Sequence, residues 1–177
     1  MTTLRLIAPA IALLLLTACT GLPKGIDPVT GFEPDRYLGT WYEIARLDHR
    51  FERGLSNVTA EYSPNDDGSI RVLNRGYNEE DGEWQQAEGR AAFVGDRDVG
   101  HLKVSFFGPF YASYVVFDLD KERYDRAYLT GSDRGTLWFL SRTPEVSDAA
   151  MAQFKARAEA EGFELDELIV VDQSRNV

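Results

Sequence analysis

The 177-residue sequence has few of the side chains on which disulfides, metal centres and thiol chemistry depend. It contains one cysteine, Cys19, so no disulfide can form within a single chain. Its two histidines, His49 and His101, do not stand at a metal-ligand spacing such as His-x3-His. The sequence therefore predicts no disulfide scaffold and no metal site, and it carries no cofactor motif.

Positive charge is also scarce. Lysine and arginine together number 19, against 29 aspartates and glutamates, which gives a formal net charge of -10. Binding to nucleic acid requires a basic face that displaces counterions from the phosphates. No cluster of lysines and arginines offsets the acidic balance, so a nucleic-acid partner is excluded.

The sequence has no apolar run long enough to span a membrane. After Arg5 the apolar run covers residues 6–16, about 11 residues against the ~20 that a spanning helix needs. We interpret residues 1–18 as a signal peptide. The following Leu16-Thr17-Ala18-Cys19 resembles the lipobox of bacterial lipoproteins, which implies that Cys19 becomes the acylated N-terminus.

The alternative to lipidation at Cys19 is an ordinary secretory signal that is cleaved near Ala18. Several acyl chains at Cys19 would give stable membrane attachment. The next residue, Thr20, resembles the outer-membrane sorting pattern of Gram-negative lipoproteins. We therefore expect a lipid-anchored protein at the periplasmic face of the outer membrane. Residues 19–34 are rich in glycine and proline and are predicted to form a lipidated tether.

Residues 35–177 are predicted to form one all-β domain with a single helix. Short extended segments alternate with turn residues at even spacing, which is typical of an antiparallel barrel or sandwich. Ser147 is a good N-cap for a helix that ends at Gly162, and residues 168–171 predict a short final strand. The eight predicted strands are residues 41–47, 58–62, 70–77, 84–93, 102–106, 112–119, 126–130 and 136–142.

Two motifs in this order resemble the lipocalin family. Gly39 and Trp41 form the glycine-x-tryptophan signature that opens the first strand in bacterial lipocalins and apolipoprotein D-like proteins, and Arg142 falls where the family places an arginine at the end of the last barrel strand. The resemblance implies an eight-stranded up-and-down barrel with one C-terminal helix outside. It also implies that these three residues close the barrel floor. The family's middle motif is only loosely present, around Tyr124.

The same resemblance implies a binding protein for fatty acids or lysophospholipids that stores or transports them in the cell envelope. A fatty-acid carboxylate would need a cation, for which Arg75, Arg90 and Lys103 are candidates. Strand alternation predicts the apolar residues that line the pocket, and plain core packing is the alternative for each. The predicted ligand-binding residues are Phe93, Val104, Phe106, Tyr114, Trp138 and Leu140.

Two other classes of function stay open. One is a structural or interaction protein with a filled barrel, in which the apolar residues 107–111 pair two copies into a homodimer. The other is a lipid-modifying enzyme, but the sequence has no Gly-x-Ser-x-Gly elbow and no phosphate-binding loop. We predict no catalytic residue, although Glu43 is left open as an acid or base.

Overall fold

The computed structural model describes residues 20–176, and it confirms the predicted all-β fold. Turn residues separate the strands, and a single long helix follows the last barrel strand. The elements are α1 Pro34–Tyr37, β1 Gly39–Leu47, β2 Leu55–Pro64, β3 Ile70–Asn78, β4 Glu83–Phe93, β5 His101–Phe107, β6 Phe110–Leu119, β7 Arg126–Thr130, β8 Leu137–Ser141, α2 Asp148–Ala160 and β9 Leu168–Val170.

The eight strands β1 to β8 close into an antiparallel up-and-down barrel. Each strand pairs with the next along the chain, and β1 pairs with both β8 and β2, which closes the ring. A register shift between Glu43 and Ala45 divides β1 into two parts. The first part pairs with β2 and the second pairs with β9, so β9 occupies the side of β1 that β2 has left.

The two ends of the barrel differ. Because successive strands run in opposite directions, the connections at residues 48–54, 79–82, 108–109 and 131–136 share one end, which we call the mouth. The other connections and α1 lie at the opposite end, which we call the floor. Any ligand inside the barrel is thus framed by a mouth of four loops and a floor next to α1.

Helix α2 lies on the outer wall of the barrel, as predicted. Its N-cap is Ser147, whose Oγ accepts a hydrogen bond from the Ala150 amide at 3.2 Å. Phe154 is fully buried against Phe139 and Tyr128, which face outward from β8 and β7. The wall beneath α2 therefore needs apolar residues on both faces, and the helix covers the outer one.

The segment predicted to be a tether differs from that expectation over its described residues. Residues 20–33 form no helix, as their glycine and proline content requires, but the side chains of Ile26 and Phe32 are only 2% exposed. The Val29 amide donates to the Val116 carbonyl at 2.8 Å, and the Gly100 amide donates to the Val29 carbonyl at 2.8 Å. Three apolar residues thus hold the segment against the barrel.

Candidate functional site

The floor of the barrel is built around Trp41 and Arg142. The Trp41 side chain is fully buried, and its Nε1 donates a hydrogen bond to the Tyr37 carbonyl at 2.8 Å. The Arg142 guanidinium carbon lies 3.9 Å from the centroid of the Trp41 ring. A cation over an indole at this distance contributes ~0.5–2 kcal/mol.

Arg142 also ties several chain segments together at the floor. Its guanidinium donates four hydrogen bonds to backbone carbonyls at 2.8–3.2 Å. Gly39 lies beside it with φ at +92°, a conformation that residues with a side chain rarely adopt. The three residues predicted from the signature thus lie together at the floor. The four acceptors belong to Arg36, Leu38, Thr40 and Tyr124.

All six residues predicted to line the pocket lie on the inner face of the barrel. Leu140 is buried, whereas the other five are only partly buried. Phe93 ends β4 at the floor, where it contacts Phe32 and Arg97, and the other four lie farther toward the mouth. The six are Phe93, Val104, Phe106, Tyr114, Trp138 and Leu140.

Small residues line part of the inner wall on β4 and β6. Ala87 lies opposite Asn74, and Ala112 lies opposite Val104, so both alanines face inward. Both alanines are nevertheless exposed. Small side chains that face inward and remain exposed indicate that the interior is open near the mouth, and we call this space the cup.

A buried polar cluster lies on the opposite side of the cup, beneath the 48–54 loop. Arg46 is 2% exposed, and its Nη1 donates to Glu43 Oε1 at 2.6 Å. The Glu52 Oε2 atom accepts a hydrogen bond from Trp138 Nε1 at 3.1 Å and lies 2.9 Å from His49 Nε2. Arg46 also donates to two backbone carbonyls at the end of the loop. The cluster therefore fixes the loop over one side of the mouth.

The two carboxyls of this cluster have opposite pKa shifts. Burial raises the pKa of Glu43 well above its usual value, and the nearby charge of Glu52 raises it further, against the effect of Arg46. Burial also acts to raise the pKa of Glu52, but the close contact with His49 and the hydrogen bond from Trp138 outweigh it and lower that pKa. A proton on this pair therefore favours Glu43 over Glu52.

The candidate cations that the sequence suggested for the pocket lie on the outer face of the barrel. Arg75 stacks on Trp84, and Lys103 lies 5.0 Å from the centroid of the Tyr111 ring. Arg90 pairs with Asp67 at 2.6 Å. Strand alternation explains this placement, because the residues that flank each cation face the interior.

Arg46 is a buried cation inside the barrel that sequence reasoning missed. Glu43 and Arg46 are three residues apart, so regular alternation would put them on opposite faces of β1. The register shift between Glu43 and Ala45 resets the alternation and brings both inside. The available signal was two opposite charges within an otherwise apolar strand.

Other features bear on catalysis and the membrane. Residues 20–176 contain no group of three or more His, Cys, Asp or Glu side chains that could hold a metal ion. In the same part of the chain no helix is both long enough and apolar enough to cross a membrane. Cys19 and the predicted signal peptide lie outside the described residues.

The rim of the mouth carries exposed aromatic residues. Phe51 lies in the 48–54 loop and is 69% exposed, while Phe107 and Phe110 flank the turn between β5 and β6 and are 73% and 67% exposed. Strands β1 and β2 lie across the barrel from β5 and β6. The phenylalanines are therefore on opposite sides of the mouth.

Comparison with known proteins agrees with this architecture. Residues 32–173 match the family model of the lipocalin-like domain. The chain is 55% identical to outer membrane lipoprotein Blc of Vibrio cholerae over 159 residues, which cover 90% of this chain and 93% of the relative. It is 52% identical to outer membrane lipoprotein Blc of Escherichia coli over 172 residues, which cover 96% of this chain and 97% of the relative.

More distant proteins share the fold. Apolipoprotein D of Bos taurus is 29% identical over 148 residues, covering 80% of this chain and 77% of the relative. The structure of insecticyanin from the tobacco hornworm Manduca sexta superposes with a TM-score of 0.69 at 20% identity, covering 88% of each chain. With the closed barrel, the outer helix and the family match over residues 32–173, this chain belongs to the lipocalins.

Proposed function

We propose that this lipocalin binds single-chain lipids, fatty acids or lysophospholipids, and stores or carries them in the cell envelope. The observation that carries the proposal is the open apolar cup. Val104, Phe106 and Trp138 face inward and remain partly exposed, and Ala112 faces inward and is exposed. A barrel filled by its own side chains would bury these residues, so the cup favours a ligand over the filled-barrel alternative.

The chemistry of the cup suits an acyl chain. Each buried methylene contributes ~0.8 kcal/mol, so ten methylenes supply ~8 kcal/mol before the costs of ordering are subtracted. Arg46, the cation found on the inner face, is already engaged by Glu43 and two carbonyls. We therefore place the acyl chain inside and the charged headgroup at the mouth, where water solvates it.

The same proposal includes an anchor in the outer membrane. The relatives from Vibrio cholerae and Escherichia coli are named outer membrane lipoproteins, and this chain has Cys19 in a lipobox-like segment. The described chain begins at Thr20, whose carbonyl lies 3.0 Å from His101 Nε2 on the barrel. An acyl group on Cys19 would thus hold the barrel close to the lipid surface.

The anchor is tested by fractionation of cells that express the full-length chain. Cys19→Ala is expected to remove the protein from the outer-membrane fraction, while Cys19 in the parent chain is expected to incorporate labelled palmitate. Thr20→Ala is the matched control and should fractionate like the parent. A Cys19→Ala protein that stays with the outer membrane would overturn the anchor.

Lipid binding is tested on the chain from Thr20 onward, which contains every strand of the barrel. The protein is delipidated and titrated with palmitic acid and with 1-palmitoyl lysophosphatidylethanolamine. Saturable binding of one lipid per barrel at micromolar or lower concentration is expected. An absence of binding by both lipids would favour the structural role, and release of a chemically altered lipid would favour an enzyme.

A further inference from the structure

Three tyrosine hydroxyls form a hydrogen-bonded chain inside the barrel, near the floor. The hydroxyl of Tyr114, on β6, lies 2.7 Å from the hydroxyl of Tyr37 in α1 and 2.8 Å from that of Tyr62 on β2. Tyr37 also stacks beside Trp41, with ring centroids 4.8 Å apart. This tyrosine chain, Tyr37, Tyr114 and Tyr62, is a polar feature of the barrel interior that neither the floor nor the mouth explains.

The tyrosine chain has one donor more than it can use. Each hydroxyl has one proton to donate, so three hydroxyls supply three donors, but three groups in a row form only two hydrogen bonds. Whichever way the protons point, one hydroxyl donor is left over. Within residues 20–176 these three hydroxyls make no further hydrogen bond. A buried donor without a partner costs free energy, so this position favours a ligand that brings an acceptor.

All three hydroxyls keep their protons at neutral pH. Burial raises the pKa of Tyr37, Tyr62 and Tyr114 above the usual value, and the two neighbouring hydroxyls raise that of Tyr114 further. The side chains of Tyr37 and Tyr62 are 2% and 6% exposed. The leftover group is therefore a neutral O–H donor in a low-dielectric setting.

A ligand in the cup can reach this donor. Tyr114 faces inward opposite Leu102, one inward position deeper than Ala112 and Val104. It remains partly exposed, and that exposed area borders the interior of the cup. An acyl chain that enters at the mouth and follows β6 thus meets the tyrosine chain near its deep end.

We propose that the tyrosine chain is a binding subsite for an uncharged oxygen, a hydroxyl or keto group, carried on the acyl chain of the ligand. The inference rests on the proposed function and narrows it to oxygenated acyl chains. A carboxylate is disfavoured at this depth because it would need a free cation. The Arg142 guanidinium near the tyrosine chain is already engaged by four carbonyls and the Trp41 ring.

The first test uses the unmodified barrel, the chain from Thr20 onward, and a series of probes. Stearic acid is compared with stearic acids that carry one hydroxyl at different carbons. A hydroxyl that reaches the tyrosine chain is expected to tighten binding by about fivefold over stearic acid, and hydroxyls at other carbons are expected to weaken it. If no hydroxylated acid binds more tightly than stearic acid, the subsite is refuted.

Two added comparisons identify which oxygen of the ligand the barrel recognises. The methyl ester of the best hydroxylated acid should keep its advantage over methyl stearate, because the subsite binds the oxygen on the chain and not the carboxyl. Loss of the advantage in the ester would overturn the subsite. Failure of every fatty-acid probe and of 1-palmitoyl lysophosphatidylethanolamine to bind would refute the proposed function instead, so the two failures are distinguishable.

The second test removes the donors. Replacing only Tyr62 with Phe leaves two hydroxyls, one hydrogen bond and still one free donor, so the preference for the hydroxylated acid should persist. Replacing Tyr37, Tyr62 and Tyr114 together with Phe should abolish the preference and leave stearic acid binding. Tyr111→Phe, on the outer face, is the control. A preference that survives in a folded triple variant would overturn the assignment. If that variant does not fold, the comparison of stearic acid with the hydroxylated stearic acids on the unmodified barrel decides the question.

Discussion

Replacing Arg142 with Met tests the structure of the floor. Methionine keeps the length of the side chain but removes the guanidinium that lies over Trp41 and donates to four backbone carbonyls. Arg142 is partly exposed, so water can replace part of what is lost. We allow about 0.5 kcal/mol for each hydrogen bond and about 1 kcal/mol for the cation over the ring, roughly 3 kcal/mol in total.

That loss should be visible in the thermal unfolding midpoint. For a domain of about 150 residues, 1 kcal/mol lowers the Tm by about 2–4 °C, so Arg142→Met is expected to lower it by about 10 °C. Circular dichroism of the chain from Thr20 onward measures the change, and urea unfolding gives the free energy. Arg123→Met, which removes an exposed ion pair near the same end, is the control and should leave the Tm nearly unchanged. If both variants melt like the parent, the floor does not depend on Arg142.

The cup, the polar cluster and the rim each give a further prediction. Ala112→Phe should fill the cup and weaken lipid binding at least tenfold without lowering the Tm, and unchanged binding in isothermal titration would place the ligand elsewhere. Glu43 has a raised pKa, so above its ordinary value of 4.5 the folded state binds more protons than the unfolded chain and loses stability as pH rises. Glu43→Gln keeps an acceptor for Arg46 and should remove this loss, so its urea-unfolding free energy relative to the parent should rise as the pH increases above about 5. A difference that does not depend on pH would contradict the assignment. If two copies pair through the rim, replacing Phe107 and Phe110 with Ser should shift sedimentation to the monomer, and a parent that is already monomeric would exclude that pairing.

The barrel could be predicted because its sequence signals are local. Leu102 and Val104 alternate with polar residues and face the interior, as the period-two pattern requires. The β6 strand is apolar on both faces, and the structure places Val116 inside the barrel and Phe117 under α2. Cover from a helix could therefore be predicted from the sequence of this strand.

The limits of strand β2 could not be predicted in the same way. The sequence predicts strand 58–62, whereas β2 covers Leu55–Pro64. Its register shifts between Ser56 and Thr59, and Asn57 has φ at 53°, so the alternation breaks at this point. The break in the local pattern made the predicted strand begin late, at residue 58 instead of residue 55.

The polar residues of the site depend on contacts that sequence does not give. The bulge in β1 brings Glu43 and Arg46 to the same side, and pairing with β8 then places Arg46 beside Trp138. The tyrosine chain joins Tyr37 and Tyr62 to Tyr114, which is 77 and 52 residues away along the chain. Apolar lining could be predicted from alternation, but the partners of each polar group required the closed barrel.

A lipid held in the cup is the feature on which the proposed function depends. Native mass spectrometry of the chain from Thr20 onward, purified from bacteria without detergent, measures this directly, with the extracted lipids identified in parallel. We expect one single-chain lipid per barrel, and we expect Ala112→Phe to purify without lipid. A parent protein that carries no lipid and takes none up from an excess of palmitic acid or lysophospholipid would contradict the proposal.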